Sequence, residues 1–173
     1  MNRLIHTLNR ILEIILISIM GVLVVDVLWQ IFSRFIISNP SSFTDELARF
    51  LLIWVSLLGG AYMLGKRLHL SIDLLSHKLS EKQSLIIDSI AQFVILIFVI
   101  SVLIIGGSRL VFVTLFLEQT SAALNIPLGY VYSVLPISGF IMILYCIHFL
   151  IDNTRRIQVI KHSSYSLGKR ENQ

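Results

Sequence analysis

Asp26-Val27-Leu28-Trp29-Gln30-Ile31-Phe32-Ser33-Arg34 closes one strongly apolar segment, and Thr44-Asp45-Glu46-Leu47-Ala48-Arg49 opens the next, which runs directly into Phe50-Leu51-Leu52-Ile53-Trp54. An ionised group at membrane depth costs from about 2.5 kcal/mol upwards. Charges kept this close together, where two apolar runs meet, imply pairing and mark a membrane boundary between the runs. The connection, residues 36–44, is short and contains Pro40, so the two segments read as antiparallel neighbouring helices.

The composition agrees. The 173-residue chain is 55% hydrophobic and 14% charged, with a mean hydropathy of +0.84, whereas a soluble domain carries about 25% charged residues. An all-α integral membrane protein follows. The net charge of +4 does not point to nucleic acid, because no basic stripe is interleaved with exposed aromatics. Cys146 stands alone, which excludes an internal disulfide and a Cys-x-x-Cys site. Arg3 and Arg10 ahead of an apolar run imitate a signal peptide, but no small-x-small cleavage site follows. The run reads as a retained first span.

A hydrocarbon core about 30 Å thick needs roughly 20 helical residues. Four segments qualify, at about 11–35, 45–64, 85–106 and 127–151. They form a single four-helix membrane domain over residues 1–156, followed by a polar cytoplasmic tail, 157–173. Ser42 with Asp45 and Ser80 with Gln83 space like capping boxes, and Asn125 with Pro127 marks the start of the fourth span. Arg3, Arg10, Lys66, Arg67, Lys78, Lys82, Arg155, Arg156, Lys161, Lys169 and Arg170 all fall on one side of this arrangement. Only Arg34, Arg49 and Arg109 fall on the other, so the Lys/Arg excess predicts that both termini are cytoplasmic.

Two stretches read as amphipathic helices lying in the interface. In residues 1–12, Leu4, Ile5, Leu8, Ile11 and Leu12 share one face; in 68–79, Leu68, Ile72, Leu75 and Leu79 do the same. The plainer alternative for each is a ragged span end. Apolar character also continues past Ile105 to Leu117, and a helix over 85–117 would be about 50 Å long. It must tilt, kink near Gly106-Gly107, or bend along the outer surface.

Asp26, Gln30 and Arg34 lie on one face of the first span, and Glu46 and Arg49 on one face of the second. The expected pairs are Arg34 with Glu46 and Arg49 with Asp26 or Gln30. An exchange of the charges at 34 and 46 should then rescue what either single change breaks. The bland reading makes these charges helix-end anchors that snorkel to headgroups; it is weakest for Asp26, which is short and two turns deeper. A Na⁺ or proton site at Asp26 or Glu46 is disfavoured, because transporter sites of that kind use interrupted helix pairs and none is visible. Cys146 and His148 sit on nearly opposite helix faces, and no histidine pair suits a bis-histidine haem. His69 and Asp73, at i and i+4, read as a hydrogen-bonded cap without the further ligands a metal needs. Ser56 and Gly60, beside Gly59, form a small-residue packing patch, while Trp29 and Trp54 suit either an interfacial anchor or a partner groove.

Taken together, the Asp26 to Arg34 run, Pro40, Phe43-Thr44-Asp45-Glu46-Leu47-Ala48-Arg49, Trp54 and Gly59 resemble a known family, the DctQ/SiaQ-like small membrane subunit of tripartite ATP-independent periplasmic (TRAP) transporters. The likeness continues through His69-Leu70-Ser71-Ile72-Asp73, Gln119 to Tyr132, and Leu135-Pro136, and covers nearly all of the chain before about Arg156. The resemblance implies a non-enzymatic accessory subunit in the bacterial inner membrane. It would pack against the scaffold of a large transport subunit that carries a carboxylate, of the C4-dicarboxylate or sialic acid type, with Na⁺ on that large subunit and no cofactor on this chain. It further implies transient docking of a periplasmic binding protein, besides contact with membrane lipids. Asp26, Trp29, Gln30, Arg34, Asp45, Glu46, Arg49, Trp54, His69 and Asp73 are the candidates for structural and partner contacts. The competing classes are a self-sufficient four-helix exporter acting as a dimer, and a membrane redox subunit.

Overall fold

The computed structural model describes residues 2–37, 41–66 and 81–171, and among them there are helices and no strands. Helix α1 is Asn2–Phe35 and α2 is Ser42–Gly65. Helix α3, Glu81–Phe98, passes through a π-helical segment, Val99–Gly106, into α4, Gly107–Phe116. A short α5, Leu128–Tyr132, precedes the long α6, Val134–Glu171. Four stretches are long and apolar enough to cross a bilayer: Ile5–Phe35, Ser42–Gly65, Gln83–Phe116 and Leu128–Ile160.

These spans do not close into a bundle. Helix α1 packs on α2, α2 on α6, and α6 on α3 with its π segment, so the helices stand in an open row with α1 at one edge. Burial follows the row, being 33% in the fourth span and 11% in the first. Val134, Tyr145, Cys146 and Phe149 of α6, with Leu58 and Leu64 of α2 and Leu12 of α1, form the core. The two broad faces are apolar and uncovered, with Val25 at 68% and Phe112 at 67% exposure. In lipid such faces cost little, because hydrocarbon tails are as apolar as Leu.

Small residues set the closest approaches. A Cβ on Gly65 would lie 2.5 Å from Tyr145 Cζ and 2.6 Å from Asn9 Oδ1, so Gly65 lets the tyrosine ring lie against the α2 backbone. Gly60 does meet Met142, but Gly59 meets nothing and Ser56 is exposed. The tightest α2–α6 contact therefore sits a turn further along than the small-residue patch expected at Ser56 and Gly60. On the third span, Gly107 faces Leu135 and Gly139 of α6 faces Leu103. Both Gly106 and Gly107 keep ordinary right-handed helical angles. The irregularity of this long span is the π segment just before them, where an extra residue per turn re-registers the helix.

The amino-terminal stripe also differs from expectation. Helix α1 is continuous from Asn2 to Phe35, and Leu12 is buried with Ile5 and Leu8 packed beside it. That stripe faces the protein core, and only Ile11 of the described part points outward. The helix α6 continues through the expected tail to Glu171. The second amphipathic stretch, 68–79, and with it His69, Asp73 and the Ser80 cap, lie outside the described residues.

Candidate functional site

The polar residues singled out in the sequence gather at one end of the row, where α1 ends, α2 begins and α4 turns into α5. Helix α2 starts after Ser41, an extended residue whose side chain makes no cap hydrogen bond, so Ser42 is the first helical residue and not the cap. Thr44 donates back to the Ser41 carbonyl. Asp45 is therefore free of capping duty. It accepts from Gln30 Nε2 of α1 at 3.1 Å and pairs with Arg49 one turn along its own helix. Arg49 approaches neither Asp26 nor Gln30, since Asp45 lies directly at i−4 and is the nearer acid.

Glu46 is not paired with Arg34. Its carboxylate accepts backbone N–H bonds from Ala122 at 3.1 Å, Ala123 at 2.8 Å and Leu124 at 2.9 Å, in the loop between α4 and α5. Successive amides converging on one anion form a nest, a concave array of donors that favours negative charge. The loop is shaped to present them. Helix α4 closes with Gln119 N bonded to Thr114 O and Glu118 N to Leu115 O, a Schellman turn with Glu118 in the left-handed region at φ 50°. Ser121 N bonds to Ile126 O and Leu128 N to Gln119 O, pinning the loop base. Asn125, at φ 53°, reverses the chain, a conformation that asparagine tolerates well.

A second tie lies one helical stage deeper. Trp54 Nε1 donates to the carbonyl of Val131 at 3.0 Å. That carbonyl adjoins the break at Ser133, between α5 and α6, where the helical ladder is interrupted. Pro136 follows in the first turn of α6, where its missing N–H leaves nothing unsatisfied. Trp54 is thus a bridge from α2 to the α5–α6 break.

Arg34 lies 6.0 Å from the Phe35 ring and lines a polar cleft with Gln30, Ser41, Ser42 and Asp45. Trp29 stacks on Phe32 and is half exposed. Asp26 is buried, at 7% exposure, and its Oδ2 has no hydrogen-bond partner. At the opposite end, polar ties that no sequence pattern indicated join the row. Tyr145 donates to Asn9 Oδ1, and Asn153 donates to Asp88 at 2.6 Å.

A family model described as the DctQ component of tripartite ATP-independent periplasmic transporters matches residues 23–156. The chain belongs to that family. Among relatives of this DctQ-family chain, the sialic acid TRAP transporter small permease protein SiaQ of Vibrio cholerae serotype O1 is 29% identical over 133 residues, covering 73% of this chain and 77% of SiaQ. A Haemophilus influenzae protein named as a TRAP transporter small permease is 30% identical over 142 residues, covering 82% and 86%. The DctQ-family chain is accordingly a component of a TRAP transporter, and its four long apolar helices fit a multi-pass membrane protein. Its matched region contains Asp26, the Asp45–Arg49 turn of α2 and the whole loop that Glu46 holds. The Glu46 contact spans 76 to 78 residues of sequence, so helix spacing gave no sign of it.

Proposed function

We propose that this small permease subunit is the stationary element of a Na⁺-coupled importer of a carboxylate substrate in the bacterial inner membrane. It packs against the scaffold of the large transport subunit, with both termini cytoplasmic and the Glu46-held loop on the periplasmic side. That loop end helps to seat a periplasmic binding protein. The observation that carries the reading is how the charges are occupied: Glu46 on three loop amides, and Asp45 on Gln30 and Arg49. These groups hold helices and a loop in place, which suits a scaffold. The Lys/Arg distribution supports the orientation, and the SiaQ relative supports a carboxylate cargo. One observation favours the self-sufficient exporter instead, namely the unpartnered Asp26.

Two measurements test the proposal. A large polytopic membrane subunit should co-purify with this chain stoichiometrically, and deleting this chain should abolish Na⁺-dependent uptake of labelled sialic acid or C4-dicarboxylate. Transport by the purified chain alone in liposomes would overturn the reading in favour of the exporter. For orientation, a cysteine at Ala122 in a Cys146→Ser background should react with a membrane-impermeant maleimide added from the periplasmic side. Reaction only after the cytoplasmic side is opened would invert the topology.

A further inference from the structure

Asp26 is the buried acid at this end of the molecule, and its Oδ2 is unmet. Three nearby donors are committed elsewhere, Gln30 to Asp45, Thr44 to the Ser41 carbonyl and Arg49 to Asp45, and the Trp29 indole on the groove wall makes no hydrogen bond to it. Asp26 forms the floor of an open groove of about 490 Å³ between α1 and α2, walled by Gly21, Val25, Trp29, Thr44 and Leu47. Gly21 has nothing within 4 Å of where its Cβ would stand, and Val25 and Trp29 are 68% and 52% exposed on the same edge of the row. Asp26 lies nine residues before the end of α1, about 13 Å inside it at 1.5 Å per residue. An acid at that depth without a partner is expensive, and such residues mark functional contacts.

The occupant can be narrowed by chemistry. A hard cation wants several oxygen ligands, and the groove wall is otherwise almost wholly apolar. Acyl chains offer no donor, and headgroups lie further out. A second copy in a two-fold contact would bring a second unpartnered acid into the same apolar seam. The exposed Arg109 sits on α4, across the row from α1, so a copy-to-copy Asp26–Arg109 contact would be head-to-tail, the kind that builds rings or filaments and not a two-fold dimer. What remains is a transmembrane helix of another protein that carries a hydrogen-bond-donating side chain at this depth.

We infer that the α1–α2 groove is a docking slot for one transmembrane helix of the large subunit, which lays an apolar face on Val25 and Trp29 and donates a hydrogen bond to Asp26. The inference rests on the proposed assembly with a large subunit and adds which edge of the row is covered and which residue reads the partner. Seated there, the donor is shielded from water and from lipid. The contact then selects register as well as partner, because an apolar helix displaced by a turn leaves the acid unmet.

The experiment uses the intact complex in native membranes. A photo-crosslinking amino acid at Val25 should attach the large subunit, while one at Phe93, on α3 at the far side of the row, serves as the comparison. In the same complex, Asp26→Leu should lower the recovered large subunit by roughly thirtyfold or more, the scale for losing one buried charge-assisted contact. Asp26→Asn, which still accepts a hydrogen bond, should retain most of it. Adducts at Val25 with a second copy, with the binding protein or with no protein would overturn the inference, as would full recovery with Asp26→Leu. The Val25 arm keeps Asp26 intact, so it decides the matter even if the leucine variant fails to fold. Should the unaltered chain recover no large subunit at all, the proposed function fails first; should it recover one without a Val25 adduct, only the docking slot fails.

Discussion

Placing a methyl group on Gly65 sets two physical effects against each other. Helix propensity alone favours Gly65→Ala by up to about 1 kcal/mol. The tertiary structure opposes it, because the new Cβ would lie 2.5 Å from Tyr145 Cζ and 2.6 Å from Asn9 Oδ1. Carbon atoms settle at about 3.5–4.0 Å, so the ring and α2 must separate by roughly an ångström. Tyr145 is fully buried among Leu64, Cys146 and Phe149 and cannot swing away freely. Overpacking of this kind costs about 1–3 kcal/mol, and breaking the Tyr145–Asn9 hydrogen bond adds about 1 kcal/mol. After the propensity gain, a net loss of about 1–3 kcal/mol remains, or roughly 2–12 °C in Tm for a chain of this size. The assay is thermal unfolding of the detergent-purified subunit, with Gly65→Ala compared with Tyr145→Leu and the double variant. The space left by the shorter side chain should make the double variant markedly less unstable than the sum of the two singles. An unchanged or raised Tm for Gly65→Ala, or strict additivity in the double variant, would refute the close approach.

The remaining predictions concern the other end of the row. Glu46→Ala should speed amide exchange at Ala122, Ala123 and Leu124 while α2 and α6 keep their protection, and Glu46→Gln should lie between it and the native chain. Exchanging the charges at 34 and 46 together should be as damaging as Glu46→Arg alone, since Arg34 is not the partner; rescue by the double exchange would restore the original pairing. Trp54→Phe removes the donor to Val131 and keeps the ring, so Tm should fall by about 2–4 °C, the equivalent of roughly 1 kcal/mol. Arg49→Ala should leave Tm nearly unchanged, because its pair with Asp45 is exposed on both sides and such pairs contribute about 0–1 kcal/mol.

None of the pairs expected among Asp26, Arg34, Glu46 and Arg49 forms; Glu46 goes to a loop, Asp26 Oδ2 stays unmet, and Arg49 pairs with Asp45. Spacing of three or four residues identifies side chains on one helix face, which is how Asp45 and Arg49 come to meet. It says nothing about a loop 76 residues away, so matching depths across two antiparallel helices gave Glu46 the charge of Arg34 instead of a set of backbone amides. A backbone donor has no letter in the sequence. The only hint was Asn125, a residue suited to the left-handed turn that aims those amides inward. The stripe in residues 1–12 shows the same limit. Periodicity identifies an apolar face, but whether protein or lipid covers it depends on neighbours, and Leu12 turned out to be in the core.

The sequence by itself determined that this is a helical membrane protein with four spans, because bilayer thickness converts directly into a run of apolar residues, and that requirement is local. It also determined the family, through short polar motifs whose order survives in the chain. The tertiary structure alone decided the open order of the row, the contact of Gly65 with Tyr145, and what each charge holds. Those depend on which faces meet across long stretches of chain, where helix packing sets the match and hydropathy is nearly uniform. The acid at Asp26 shows both halves at once: its cost in the membrane is written in the sequence, and its lack of a partner appears only when Gln30 and Thr44 are seen to bond elsewhere.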